Sequence, residues 1–246
     1  MAGWRQQASL IRAPDSIEMR VVGVDGDGSA VFDTPLVHGA DPDILAWETG
    51  YLAVRPLDAM RDPSGELIIT MLVRPLADEP RPVSAGRGQD AGLSIPRALR
   101  PIVRQRAAGY AIVLSDRGLL GTQYSDRTAV AGRWGMPGGG IDDHEQPAAA
   151  VLREVTEETS QLIILGELIK VQTSHWIGRS PHGPIEDFHA VRLIYRGSCP
   201  KPTEPIVVDR GGTTESARWV PLNSWRSLAW TQNWQQVLGE LLTESG

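Results

Sequence analysis

Three glutamates, Glu154, Glu157 and Glu158, stand close together behind three consecutive glycines in "GGGIDDHEQPAAAVLREVTEETSQ", residues 138–161. On a helix, the spacing i, i+3, i+4 puts them on one face. Like charges so placed destabilise a helix by roughly a few tenths of a kcal/mol per pair, and a multivalent cation would remove that repulsion. Hard oxygen ligands grouped this way suit Mg2+, or Mn2+, better than zinc, which prefers His and Cys. Magnesium keeps several waters and shares its shell with substrate phosphates, so an incomplete protein cage is the expected design. The preceding "MPGGGI" allows close backbone approach and can offer carbonyls to the ion.

A helix must position these carboxylates, and the sequence predicts one from Pro147 to about Thr159. Proline suits the first helical position, where its missing N–H costs nothing, and Gln146 is left as an unfavoured N-cap. Ala148, Val151, Leu152 and Val155 are expected to form the buried stripe, with the three glutamates aimed out of an adjacent face. A glutamate-rich helix face is most often simply solvated. The full pattern is more specific: Gly139, five residues, Glu145, seven residues, Arg153-Glu154-Val155, one residue, Glu157-Glu158. With average residue usage it arises by chance in a chain of this length on the order of once in a hundred thousand.

That pattern resembles the signature of the Nudix hydrolases, G-x5-E-x7-R-E-U-x-E-E-x-G-U with U a bulky aliphatic. The flanking "RWGMPGGGI" also looks like the family's approach to the box, and the resemblance covers about residues 100–236. Two positions depart: the late glycine is Ser160 and the final aliphatic is Gln161. Serine in a left-handed helix cap costs on the order of 1 kcal/mol or shifts the helix end by a residue. The resemblance implies that Glu157 and Glu158 bind the divalent cation with help from the Gly138 carbonyl. Glu154 is a further ligand or orients the attacking water, and Arg153 pairs with Glu145 or Glu154. A carboxylate from a later loop is expected to complete the site or act as base. Glu186, Asp187 and Glu215 are the candidates, with Glu215 preferred because family members commonly carry a loop glutamate shortly before an equivalent of "RWV".

The chemistry so implied is hydrolysis of a phosphoanhydride in a nucleoside diphosphate linked to another group. The partner is then a small-molecule nucleotide derivative: a nucleotide sugar, an ADP-ribose-like compound or a nucleoside triphosphate. Arg104, Arg106 and Arg127 are candidate phosphate contacts, and Trp176, Phe188 or Tyr124 could stack on a base, although surface arginines and packed aromatics are the commoner case. His175, His182 and His189 lie near one another in sequence without a metal-binding spacing. A non-catalytic nucleotide sensor on the same fold is the competing class; the intact glutamates favour turnover.

Around the helix, "AAGYAIVLSDRGLLGTQYS" reads as a hairpin turning at residues 115–118, with further strands in "QLIILGELIKVQTSHWIG", "DFHAVRLIYRG" and "ARWV". A terminal amphipathic helix follows in "NWQQVLGELLTE". The expected fold is α/β (α+β), a Nudix-type mixed β-sheet sandwiched between helices over residues 98–246. Residues 1–75 offer β-prone runs separated by turn signals, a small β-rich N-terminal unit that is a candidate dimer surface. Residues 76–97 gather Pro, Gly, Ser and charge and read as a linker or long loop.

At 246 residues and 41% hydrophobic content the chain can bury a substantial core. A net charge of −6 disfavours nonspecific attraction to nucleic acid or anionic membrane. One cysteine, Cys199, and a start without an apolar signal core lead to the expectation of a reducing cytoplasm, and no apolar run is long enough to span a bilayer.

Overall fold

The computed structural model describes residue 13 and residues 16–83, 86–96, 99–180, 183–209 and 212–243. Along the chain run β1 (Met19–Val24), β2 (Ala30–Pro35), α1 (Pro42–Glu48), β3 (Tyr51–Arg61), β4 (Leu67–Pro75) and β5 (Arg87–Gln89). Then come β6 (Ile102–Ser115), β7 (Gly118–Tyr124), β8 (Trp134–Gly135), β9 (Gly138–Gly140) and α2 (Pro147–Thr159). The last elements are β10 (Ile164–Arg179), β11 (Ile185–Ser198), β12 (Thr214–Val220) and α3 (Gln232–Thr243). The described residues form an α+β architecture of two mixed sheets and three α-helices. By its contacts the chain divides into two compact units, whose described residues fall within Met1–Pro56, Asp62–Ala107 and Gln172–Val191 for the first and within Leu57–Arg61, Ala108–Val171 and Arg192–Gly246 for the second.

In the first unit the N-terminal strands form a sheet of order β2-β1-β4-β3, with β1 antiparallel to β2 and parallel to β4. Burial alternates along β1 and β4, so Met19, Val21, Leu67, Ile69, Met71 and Val73 share an apolar face, as the period of two in the sequence requires. Helix α1 was not foreseen, although Asp41-Pro42 carries its start: the Asp41 carboxylate accepts the Asp43 N–H at 3.0 Å, and Pro42 takes the first helical position. Within residues 76–97, β5 pairs parallel with β10 at His175–Ile177.

In the second unit the strand order is β12-β7-β6-β11-β10, with β8 on β7 and β9 on β6. The hairpin turns where the sequence places it, with Leu114 opposite Leu119 and Gly118 at φ +112°. Successive residues of β6 face opposite sides of the sheet. Gly109 lies under Val151 of α2, while the ring of Tyr110 stands edge-on to Trp234 of α3 at 5.2 Å, so the sheet has a helix on each face. Trp134, Trp225, Trp230 and Trp234 pack with Ile112, Leu119, Ile194 and Leu238, placing these tryptophans in the core rather than in a binding array. Among the described residues no helix is long and apolar enough to cross a membrane.

Candidate active site

Helix α2 runs from Pro147 to Thr159, the range predicted, but its buried face is rotated from the expected one. Pro147, Ala150, Val151, Val155, Glu158 and Thr159 are buried, whereas Ala148 is exposed and Leu152 is 40% exposed. The expected outward aim of all three glutamates is corrected with it: Glu158 points inward at 7% exposure, Glu154 is largely covered, and only Glu157 is substantially open. Glycines permit this rotation. A Cβ on Gly109 would lie 2.6 Å from Val151 Cγ2, and one on Gly139 would lie 2.6 Å from the Glu154 carboxyl carbon. A side chain at position 109 would force Val151 aside, and one at position 139 would displace the Glu154 carboxylate.

Glu158 is satisfied by two donors: the Gly138 N–H reaches Oε2 at 3.0 Å, and the Thr214 hydroxyl donates to Oε1. Burial nevertheless pushes its carboxyl up to about 7, with the charges of Glu154 and Asp209 adding to the shift against those two hydrogen bonds. Burial also raises the Glu154 carboxyl, partly offset by Arg153. The Gly138 contact seen is thus made through its N–H.

Arg153 meets both of its expected partners. Its Nε and Nη2 grip Glu145 at 3.0 and 2.9 Å, while Nη1 reaches Glu154 at 2.8 Å and Glu157 at 3.2 Å. The forked bond to Arg153 holds the Glu145 carboxyl below its ordinary range, and the same bond raises the guanidinium further. Gln146, the unfavoured N-cap, makes no capping bond; its amide instead exchanges two hydrogen bonds with the Arg61 backbone, at 2.9 and 3.0 Å. Buried Arg61 then donates to the Glu145 carbonyl at 2.9 Å, so the end of β3 fixes the loop that presents Glu145. Sequence reasoning missed Arg61, and no local pattern marks it.

At the other end of α2, Ser160 takes the left-handed conformation at φ +55°, and its hydroxyl donates to the Ile206 carbonyl at 2.8 Å. Gln161, in place of the aliphatic, is buried but bonded: its amide donates to Thr203 Oγ1 at 2.9 Å and accepts the Thr203 N–H at 2.9 Å. The chain then returns along the helix end. Ile206 N–H donates to Thr159 O, and Val208 and Asp209 N–H donate to Glu157 O, supplying helix carbonyls that have no partner within the helix. This return brings Asp209 close enough for Glu158 to feel its charge. Glu215, expected in a loop, is an exposed residue of β12 next to Thr214. Neither Asp209 nor Thr214 carries a motif that would have identified it.

The second unit therefore brings together Gly138, Glu145, Arg153, Glu154, Glu157 and Glu158, with Asp209 and Thr214. Arg127 is exposed in the loop after β7, and Tyr124 is packed, its hydroxyl accepting the Trp234 indole N–H at 3.3 Å. The other candidates lie in the first unit. Arg104 pairs with Glu186 at 3.0 Å, Arg106 is exposed on β6, and Trp176 is 47% exposed on β10. Phe188 is half-buried on β11, Asp187 pairs with His38 and His175, and His182 lies outside the described residues.

Comparison with known proteins agrees with the box. A family model of the NUDIX domain matches residues 103–239, more than half of the chain. Nudix hydrolase 25 of Arabidopsis thaliana is 30% identical over 113 residues, covering 41% of this chain and 60% of that protein, so the chain spans less than two thirds of the relative's length. Among solved structures, a MutT NUDIX hydrolase from Burkholderia pseudomallei is 25% identical over 55% of this chain and 97% of its own, with a TM-score of 0.39. The NUDIX domain of Shewanella oneidensis NrtR, solved with ADP ribose, is 21% identical over 62% of this chain and 94% of its own, with a TM-score of 0.43.

Proposed function

Because the chain belongs to the Nudix family of pyrophosphohydrolase enzymes, we propose that it catalyses metal-dependent hydrolysis of a phosphoanhydride bond in a nucleoside diphosphate linked to another moiety. The observation that carries this reading is the carboxylate cluster of α2, where Glu154 and Glu158 are covered and their carboxyls raised by burial. An all-oxygen donor set of this kind fits a hard divalent cation, Mg2+ or Mn2+. In the proposal Glu157, Glu158 and Glu154 hold the ion with the Gly138 carbonyl. When bound, the ion polarises phosphoryl oxygens, lowers the pKa of water and screens the leaving phosphate.

Each remaining step falls to side chains. Arg153 keeps Glu145, Glu154 and Glu157 in register and lowers their mutual repulsion. A second acid orients water or takes its proton. Asp209 and Glu215 are the candidates, and the influence of Asp209 on Glu158 favours it. Arg127, Arg104 and Arg106 are proposed phosphate contacts, and Trp176 a stacking surface for a base. Free and buried, Cys199 suits a reducing cytoplasm. The β-rich residues 1–75, read as a unit ahead of a Nudix domain at 98–246, are proposed as a dimer surface; light scattering on the full chain tests this, and the mass of one chain ends it.

The test of activity is release of phosphate or pyrophosphate, with a coupled phosphatase, from nucleoside triphosphates, nucleotide sugars, ADP-ribose and dinucleotides, with Mg2+ and with chelator. Metal-dependent turnover of one class is expected. Failure of every class, with a nucleotide still raising the melting temperature, would replace hydrolysis by sensing.

A further inference from the structure

Outside the box, a second group of potential ligands converges in the first unit. The Nε2 atoms of His38 and His175 lie 2.9 and 2.5 Å from the same atom, Asp187 Oδ1, and one ligand atom from each residue falls within a 4.8 Å cluster. His38 comes from the segment between β2 and α1, His175 from β10 and Asp187 from β11. We propose that His38, His175 and Asp187 form a further metal site, made of residues other than those of the box, that takes a borderline divalent transition ion of the Zn2+ class.

Donor chemistry supports this choice. Two imidazoles and one carboxylate, with a position left for water, suit zinc, whereas magnesium and calcium prefer oxygen. In a tetrahedral zinc site with bonds of about 2.0–2.2 Å, ligand atoms stand about 3.3 Å apart. Seating the ion thus asks the two rings to draw back from Oδ1 by less than about 1 Å. His38 also lines a cavity of about 410 Å3 with Met19, Leu36, Val103 and Gln105.

The ring positions are held from outside. Gly39, at φ +79°, closes on His175, where a Cβ would come within 2.6 Å of Nδ1. Asp41 accepts the Thr173 hydroxyl at 2.5 Å, and the Gln105 amide donates to the Leu36 carbonyl at 3.0 Å, so the His38 segment is fastened on both sides. His189, fully buried behind the pair, donates its Nδ1–H to Gln105 Oε1, 3.0 Å away.

A hydrogen-bonded His–Asp–His group without metal is the rival account. His38 Nδ1 has no hydrogen-bond partner among the described residues under either account, and what the rival must explain is the gathering of three imidazoles with ring centroids 4.8 to 5.9 Å apart near one carboxylate. Titration with the metal alone separates the two accounts.

The experiment uses the full chain, stripped with chelator and then titrated with Zn2+ by calorimetry in saturating Mg2+, which occupies the oxygen ligands of α2. Parallel titration with Co2+ reads the visible absorption of a low-coordinate site. Wild type and Glu157→Gln are expected to bind one Zn2+ alike, and His175→Ala and Asp187→Asn to bind at least tenfold more weakly, with Co2+ absorption lost. His175→Gln, which keeps an N–H toward Asp187, serves if His175→Ala fails to fold. Equal Zn2+ affinity in wild type and a folded His175 variant overturns the site, as does a folded wild type that binds no Zn2+. Loss of binding in Glu157→Gln alone assigns the zinc to the box and also overturns it. Since the nucleotide panel does not enter, this site can fail while the proposed hydrolysis stands, or stand while that fails.

Discussion

Around α2 four carboxylates, those of Asp142, Glu145, Glu154 and Glu157, surround the single guanidinium of Arg153, while Glu158 is left to a hydroxyl and an amide N–H. In the first unit the stoichiometry is reversed, with one carboxylate, Asp187, shared between the imidazoles of His38 and His175 and the Arg87 guanidinium 3.7 Å away. Burial works against a charged carboxylate at both places, with opposite outcomes. Glu158 is raised to about 7 by burial, with the negative charges of Glu154 and Asp209 adding to it, whereas the imidazoles of His38 and His175 hold the Asp187 carboxyl below its ordinary range despite burial. The first cluster carries a surplus of carboxylates, which the proposed divalent cation would balance. The second has no such surplus of carboxylates, and its imidazole nitrogens suit the borderline ion proposed for it.

Replacing a single charge gives the largest effect. Glu158→Gln keeps the shape of the side chain and removes a charge that burial already disfavours, so kcat is expected to fall on the order of a hundredfold or more while the melting temperature holds or rises. Steady-state kinetics with thermal unfolding checks both halves, and a variant that loses stability along with activity would mean Glu158 is mainly a structural contact. Arg153→Ala comes next: without the guanidinium the carboxylates repel, and stability should drop by about 1–2 kcal/mol, since the pair is partly exposed. Urea unfolding with and without Mg2+ measures it, and the loss should be smaller with the ion present.

pH separates the clusters next. The Glu158 carboxyl is raised in the folded state from its ordinary 4.5 to about 7, so the folded protein holds that proton more tightly than the unfolded chain. Its contribution to stability is complete below about 4.5 and is lost as pH rises through 7. In chelator, Glu158→Gln should therefore remove part of the fall in melting temperature between pH 5 and pH 8; identical pH profiles would deny the shift. The smallest effect belongs to Ser160→Gly, which relieves a left-handed serine but gives up its bond to Ile206, for a net gain below about 1 kcal/mol.

The same contrast explains what could be read from sequence. The box fits within residues 138–161, so helical spacing, Pro147 and the glycines reveal its helix and its grouped carboxylates together. The 115–118 hairpin was equally local. Rotation of α2 about its axis was not, because Gly109 and Gly139 decide which face meets the sheet, and their role shows only once β6 and β9 lie side by side. Arg61 reaches Gln146 across 85 positions, and His38 reaches Asp187 across 149. Nothing in either segment signals such a partner. Among His175, His182 and His189, sequence proximity pointed to no site, and the residue that pairs with His175 through Asp187, His38, lay outside that group. Asp209 was hidden for a different reason: its segment is placed by backbone bonds to the end of α2, which its side chains do not encode.

The most direct test of the central claim compares wild type with Glu157→Gln on whichever substrate the panel identifies, at saturating Mg2+ and with circular dichroism to confirm the fold. A loss of turnover on the order of a hundredfold or more, with folding intact, is the predicted result. Turnover equal to wild type, with unchanged dependence on the metal, would contradict the assignment of the α2 carboxylates as the metal-binding machinery.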